Sequence, residues 1–133
     1  IIGCIHAGWK GAFKNIIKKT VIRIKKASTK KNNIAAAVGP CIGKKSYEVD
    51  FKFKIKFLKK FKKSSSCFNK TKGKYLFDLR KFVNLKLRES GIKRIDNIVL
   101  DTFKNHKSFF SYRRSKLRGE KDYGRCISVI KLN

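Results

Sequence analysis

Apolar positions along this chain switch between two periods, and the switches mark the elements. Residues 1–5 form a short apolar, β-branched run that predicts a strand, ended by a glycine-containing turn. From residue 12 to 27, Phe13, Ile16, Ile17, Val21 and Ile24 recur at helical spacing and predict an amphipathic helix. Polar, basic residues 28–33 read as a loop, and the apolar run 34–38 reads as a buried strand broken by Gly39-Pro40. Residues 51–57 alternate with period two like an edge strand, yet Phe53, Phe57 and Phe61, with Leu58, also suit one helical face, so the pattern alone leaves both readings open. Residues 62–74, with Ser64-Ser65-Ser66 and Gly73, read as a mobile loop.

The remaining pattern is shorter in period and length. Tyr75 to Phe77 is a brief apolar run, after which Asp78 is placed to cap a helix whose face is Leu79, Phe82, Val83, Leu85 and Leu87, stopped by Gly91. An aspartate there satisfies free amides and sits at the positive end of the helix dipole. Residues 95–100 predict a strand, 101–108 a polar loop and 125–132 a closing strand of imperfect alternation. No internal repeat is evident.

Composition adds bounds. The 133 residues, 41% apolar and 12% aromatic, suit one domain with one core. No methionine occurs, and the first residues read as a strand already under way, the expectation for a chain whose beginning lies elsewhere. Thirty-six basic against eight acidic residues give a formal charge of +28, which attracts phosphate-bearing partners and opposes compaction by self-repulsion. Nucleic acid is therefore one possible partner. Lysine outnumbers arginine 28 to 8, however, and isoleucine and asparagine recur, as expected when compositional drift in an AT-rich genome places lysine on solvated faces. Charge alone thus selects no function. Cys4, Cys41, Cys67 and Cys126 show no close pairing, and no secretory segment precedes them, so a reduced, cytoplasmic protein is expected. No apolar run approaches the roughly 18 residues of a membrane span, so no membrane partner is expected.

Three groups of residues stand out from this background. They are His6-Ala7-Gly8-Trp9-Lys10-Gly11; Gly39-Pro40-Cys41-Ile42-Gly43 followed by Tyr47-Glu48-Val49; and Phe109-Phe110-Ser111-Tyr112-Arg113-Arg114 followed by Arg118-Gly119-Glu120 and Asp122-Tyr123-Gly124-Arg125. Glycines flanking Trp9 allow a turn that a side chain would block. The tail group pairs aromatic surface with two guanidinium groups, suited to stacking a base and holding an anion. No Ser-His-Asp set, P-loop or G-x-G-x-x-G is present. In order and spacing these motifs resemble the later half of the laccase-domain (polyphenol oxidase type) purine nucleoside phosphorylase family. The resemblance implies an α/β (α+β) sandwich of mixed sheets covered by helices, with residues 1–133 the C-terminal part of a single domain whose N-terminal half is absent. By the same analogy it favours helix after Tyr47-Glu48-Val49.

The resemblance also implies a site. His6 matches one of three zinc ligands, the other two, a cysteine and a histidine, lying upstream in relatives; copper is reported under the family's laccase description. Such a site keeps a fourth position open, where zinc lowers the pKa of bound water and polarises substrate oxygen. Lys10, Tyr112 and Arg113 are the candidate substrate or anion contacts, and no catalytic residue is assigned. A local alternative pairs Cys4 with His6 as chelators on one side of the first strand, roughly 6.6 Å apart. Arg113 or Arg114 also has a structural reading, neutralising Glu120 or Asp122. Asp101-Thr102 stands where many relatives have Cys-Thr and is read as orienting a ligand or loop. Glu48 and His106 read as a surface glutamate and an exposed loop histidine.

The implied activity is phosphorolysis of adenosine, inosine and methylthioadenosine, with adenosine deamination also attributed to the family. The implied partners are a purine nucleoside, phosphate and a separately encoded N-terminal half. The alternatives are an inactive gene remnant and a basic nucleic-acid-binding protein. Missing neighbours would leave sheet edges and core faces bare, so the chain expressed alone is expected to be poorly soluble. A monomeric, cooperatively melting product in sedimentation and thermal scans would contradict that expectation.

Overall fold

Phenylalanine decides where the core lies. In the computed structural model, which describes residues 1–29 and 33–132, Phe57, Phe77 and Phe82 are fully buried. Their rings meet at 4.9 Å between Phe57 and Phe77 and 5.0 Å between Phe57 and Phe82, in tilted and edge-on geometry. Phe53 stacks on Phe57 at 4.7 Å, and Phe68 meets Phe77 in tilted geometry at 4.8 Å. These offset and edge-on arrangements are the ones the ring quadrupole favours.

The elements that deliver those rings are helices α1 (Trp9–Phe13) and α2 (Ile16–Ala27), strand β1 (Ala35–Val38), strand β2 (Glu48–Val49) and helix α3 (Phe51–Lys60). Strands β3 (Phe68–Thr71) and β4 (Lys74–Phe77), helix α4 (Leu79–Glu89), strand β5 (Arg94–Asn97) and helix α5 (Tyr112–Leu117) complete the order. Tight 3-10 turns span Lys44–Ser46 and Lys62–Cys67. β1 and β5 pair in parallel, with Ala36 opposite Ile95, while β2, β4 and β3 form an antiparallel sheet in that order. The expected class is therefore the one seen: α/β, with parallel and antiparallel sheets and packed helices. Among the described residues no helix is long and apolar enough to cross a membrane.

Residues 51–60 are helical, which settles the open reading against an edge strand. Asp50 starts α3 by accepting from the Phe53 amide at 2.7 Å, and α3 then turns Phe53 and Phe57 into the cluster. Asp78 caps α4 in the same way through the Lys81 amide at 2.8 Å. The expected face follows: Leu79, Phe82, Val83 and Leu87 are buried and Leu85 is half-buried. Lys86 was not foreseen inside. Its ammonium pairs with Glu89 at 2.6 Å and lies 4.3 Å from the Phe61 ring centre, so the charge keeps partners as its stem is buried.

Five expectations change. The strand read as buried over 34–38 forms as β1, but its residues alternate between exposed and half-buried. Residues 1–5 and 125–132 were expected as strands, but neither segment enters a ladder, because no neighbouring strand lies beside it among the described residues. The helix expected over 12–27 begins earlier and is broken: Asn15 adopts φ 62°, a left-handed conformation asparagine tolerates, and separates α1 from α2. The expected mobile loop 62–74 is instead a 3-10 turn and one arm of the β3–β4 hairpin. Its serines misled because Ser64 is fully buried, its hydroxyl satisfied by the Phe61 carbonyl at 2.7 Å. The strand expected over 95–100 ends at Asn97. The expected loop 28–33 lies partly outside the described residues.

Because Phe57 touches rings from α1, α3, β3, β4 and α4, Phe57→Ala is expected to destabilise the fold by about 3–5 kcal/mol. Urea denaturation followed by tryptophan fluorescence reads this directly. A loss below about 1 kcal/mol would show that the cluster is not the organising core.

Candidate functional site

The first motif turns a corner into α1. Gly8 precedes the helix with extended backbone (φ −60°, ψ 166°), and a Cβ at that position would stand 2.9 Å from His6 Nε2. The His6 imidazole is thus folded against Gly8, and any larger residue there displaces the ring. Trp9 fastens the corner to the core, edge-on to Phe53 at 5.0 Å. His6 and Lys10 remain exposed. The Lys10 ammonium lies 5.8 Å from the centre of the Trp9 ring. Cys4 does not alternate with His6 along a strand, since none forms; its thiol donates to the Ser128 carbonyl at 3.5 Å.

The second motif is knotted by Asp101. A parallel bridge joins Cys41 to Asp101, and the Thr102 amide donates to the Cys41 carbonyl at 3.1 Å. One Asp101 oxygen accepts from the Ser46 hydroxyl at 2.5 Å and the other from the Phe103 amide at 2.9 Å, with the Gly43 and Lys104 amides also donating. A Cβ on Gly43 would lie 2.5 Å from Asp101 Oδ2, so only glycine permits this approach. Partial burial works to raise the Asp101 pKa, but the Ser46 and backbone donors together outweigh it and hold the carboxyl below the usual range. Asp101 orients a loop, one of the two roles read for it. Burial pushes the Cys41 thiol up against the opposing Arg80 charge, and pushes fully buried Cys67 up to about 11 against Lys81, so neither is a ready nucleophile at neutral pH.

The tail motif is partly structural. Arg113 Nη2 donates to the Glu48 carbonyl at 2.8 Å, and its guanidinium carbon lies 5.5 Å from the Tyr47 ring centre. Burial raises Tyr47 to about 12 despite that nearby cation, leaving it a neutral phenol. Arg114 donates to three carbonyls, those of Thr102 at 2.9 Å, Phe103 at 2.7 Å and Phe109, and so staples the loop between β5 and α5. Neither arginine neutralises Glu120 or Asp122. Arg118 faces Glu120 at 3.7 Å and Arg125 faces Asp122 at 3.0 Å, because α5 turns its own two arginines inward toward carbonyls. Helix α5 was hidden in sequence by the chemistry of its residues, although the Ser111 hydroxyl accepting from the Arg114 amide at 3.4 Å is an ordinary start signal.

Tyr112 is exposed and meets Tyr123 edge-on at 5.0 Å. His106 is exposed, and Glu48 pairs with Lys74 at the surface. The structure therefore joins Arg113 to the Tyr47-Glu48 motif and Asp101 to the Gly39–Gly43 turn. Among the described residues no hydrogen bond or ion pair joins His6 to Lys10, Tyr112 or Arg113. Nor does any group of three His, Cys, Asp or Glu side chains converge on a point that could hold a metal. His6 alone offers one imidazole, which does not fit a zinc or copper centre by itself.

Comparison with known proteins sharpens these observations. The family model for multi-copper polyphenol oxidoreductase laccase matches residues 1–133. Over 117 residues the chain is 44% identical to a purine nucleoside phosphorylase of Rickettsia conorii, covering 86% of this chain and 48% of that protein. It is 30% identical over 118 residues to purine nucleoside phosphorylase YfiH of Escherichia coli, covering 89% and 47%. It superposes on the crystal structure of hypothetical protein YfiH from Bacillus licheniformis with a TM-score of 0.74 at 30% identity, covering 84% of this chain and 43% of that one. The chain spans about half the length of the curated relatives it matches.

The Asp101 knot makes a pH prediction. Its lowered pKa means the hydrogen-bonded carboxylate contributes stability above the unfolded-state value, a contribution lost as pH falls through the folded one. Asp101→Asn is expected to cost about 1 kcal/mol at neutral pH and to flatten the acid limb of the stability curve. Denaturation midpoints taken from neutral pH down to about pH 3 check both. Parallel curves for the two proteins would assign Asp101 no part in holding the turn.

Proposed function

The chain belongs to the multi-copper polyphenol oxidoreductase laccase family, and from that premise we propose that it forms the His6-bearing part of a purine nucleoside phosphorylase. The observation that carries this reading is the 44% identity over 117 residues to a protein named for that activity. The substrates are a purine nucleoside, such as inosine, adenosine or methylthioadenosine, and inorganic phosphate. A phosphate oxygen bonds to the ribose C1′ as the bond from C1′ to the purine nitrogen breaks. The electron pair leaves on the base, which takes up a proton, and a sugar 1-phosphate remains.

Exposed Lys10 and half-buried Arg113 supply positive charge for phosphate, a setting in which Arg113 presents a planar fork beside Tyr47. Tyr112, exposed and edge-on to Tyr123, offers aromatic surface to the base. His6 is the metal-ligand position in this reading, but a centre of three donors needs groups beyond the described residues, so no step here is routed through zinc or copper. Deamination of adenosine draws no support from the geometry. The four cysteines are free thiols, in keeping with a cytoplasmic setting.

The test supplies what this chain does not span. The chain is co-expressed with the part of the Rickettsia conorii relative outside the 117 aligned residues, and hypoxanthine release from inosine is followed with and without phosphate. Phosphate-dependent release is expected, and Arg113→Lys or Lys10→Ala is expected to lower kcat/KM about tenfold, equivalent to about 1.4 kcal/mol of transition-state stabilisation. Absence of phosphate-dependent release from a folded, purified complex would overturn the reading.

A further inference from the structure

Helix α3 has two working faces. Phe53 and Phe57 turn into the core, whereas Phe51, Lys52, Ile55, Lys56 and Lys59 line a shallow groove of about 410 Å³ on the outside. Phe51 and Ile55 stand four apart, and Lys52, Lys56 and Lys59 four and three apart, so the helix sets an apolar row beside a cationic one. Phe51 is 59% exposed even though its ring meets Tyr75 at 6.2 Å, and Ile55 is half-buried. No acid lies within α3, and the Asp50 carboxylate just ahead of it is taken up by the Phe53 amide. Among the described residues no ion pair involves Lys52, Lys56 or Lys59. Lys56 rests its ammonium 5.4 Å from the Trp9 ring centre and 5.2 Å from that of Phe13.

An apolar floor with a cationic rim asks two things of its occupant. Carboxylates must answer the ammonium groups, and an apolar side chain must fill the space between Phe51 and Ile55. A second copy of this chain brings another charge of +28, and like-charge repulsion opposes it. A phosphate backbone answers the rim but leaves the floor empty, and α3 has no arginine with which to grip it. A lipid surface would need several large apolar side chains to enter it, yet α3 has turned Phe53 and Phe57 inward. An acidic amphipathic segment meets both demands, and its charge steers it to the groove before contact.

We propose that the outer face of α3 is a docking groove for an acidic amphipathic helix of a partner polypeptide. One apolar side chain of the partner seats between Phe51 and Ile55, and carboxylates one helical turn apart reach Lys52, Lys56 and Lys59, which themselves step along α3 by about a turn each. Lys56 links this groove to the first motif, because the same ammonium lies over the indole that anchors the His6 corner. The groove is therefore separate from the candidate substrate contacts but shares a residue's reach with the element that carries His6.

The test titrates the full 133-residue chain, at about 150 mM salt to screen loose adsorption, with a synthetic peptide of about 15 residues that carries leucine at three- and four-residue spacing and glutamate elsewhere. Trp9, the chain's single tryptophan, lies beside Lys56 and reports binding through its fluorescence. Saturable binding is expected, weakened at least about tenfold when serine replaces each leucine of the peptide. Phe51→Ser and, separately, Lys52→Gln/Lys59→Gln are each expected to weaken it at least about fivefold. Their denaturation midpoints should stay close to that of the unaltered chain, because all three positions are exposed. Lys18→Gln/Lys19→Gln removes the same charge from exposed sites on α2 and is expected to change affinity by less than about twofold. The inference is overturned by absence of saturable binding, by equal binding of the serine peptide, or by equal losses in the two lysine pairs. It is also overturned if Phe51-dependent binding is found instead with vesicles of equal parts phosphatidylserine and phosphatidylcholine, which would make the groove a lipid site, or with oligothymidylate, which would make it a nucleic-acid site.

Discussion

The Phe57 ring is the contact on which the rest of the structure depends. It is reached from α1 through Trp9 and Phe13, from the hairpin through Phe68 and Phe77 and from α4 through Phe82, so one side chain is shared by every aromatic layer of the core. The consequence for function runs through Trp9. That indole is part of the cluster and stands three positions after His6, so aromatic packing fixes the corner while the imidazole itself folds against the bare Gly8 backbone. The candidate ligand is exposed, but the corner that carries it is anchored.

Around this apolar centre the loops are held by polar groups that answer backbone demands. Asp101 collects donors from a hydroxyl and three amides, and Arg114 gives its protons to three carbonyls. Each replaces several ladder hydrogen bonds that irregular chain cannot make. Both belong to segments bearing family motifs, so the motifs record architecture as well as chemistry. Arg113 alone of the tail pair keeps its guanidinium beside an aromatic face near the surface, which separates its role from that of its neighbour.

Much of this was legible in the sequence, for physical reasons that differ from element to element. The α4 face was readable because a capping aspartate, helical spacing and a stop signal agree over residues 78–91, and α3 was readable only once period two and period 3.6 were weighed with an analogy. The fold class and the family followed from motifs. The buried serine at position 64 and the buried lysine at position 86 were not legible, because each is satisfied by a partner that sequence does not place beside it. The end segments were read as strands from their pattern and form none among the described residues, because a strand exists only when a neighbour pairs with it. The metal site was legible only as a resemblance, since His6 has no converging donors among the described residues.

Part of the surplus of lysine is engaged with the aromatic rings of the fold. Lys54 lies 4.1 Å from the Tyr75 ring centre, Lys60 4.6 Å from Phe13, and Lys56 5.4 Å from Trp9. These ammonium groups cap the outer faces of aromatic rings whose other faces pack inward, and their aliphatic stems cover apolar surface that water would otherwise meet. Positive charge here is thus partly engaged in covering the fold, which is why a charge of +28 by itself carries so little information about the ligand.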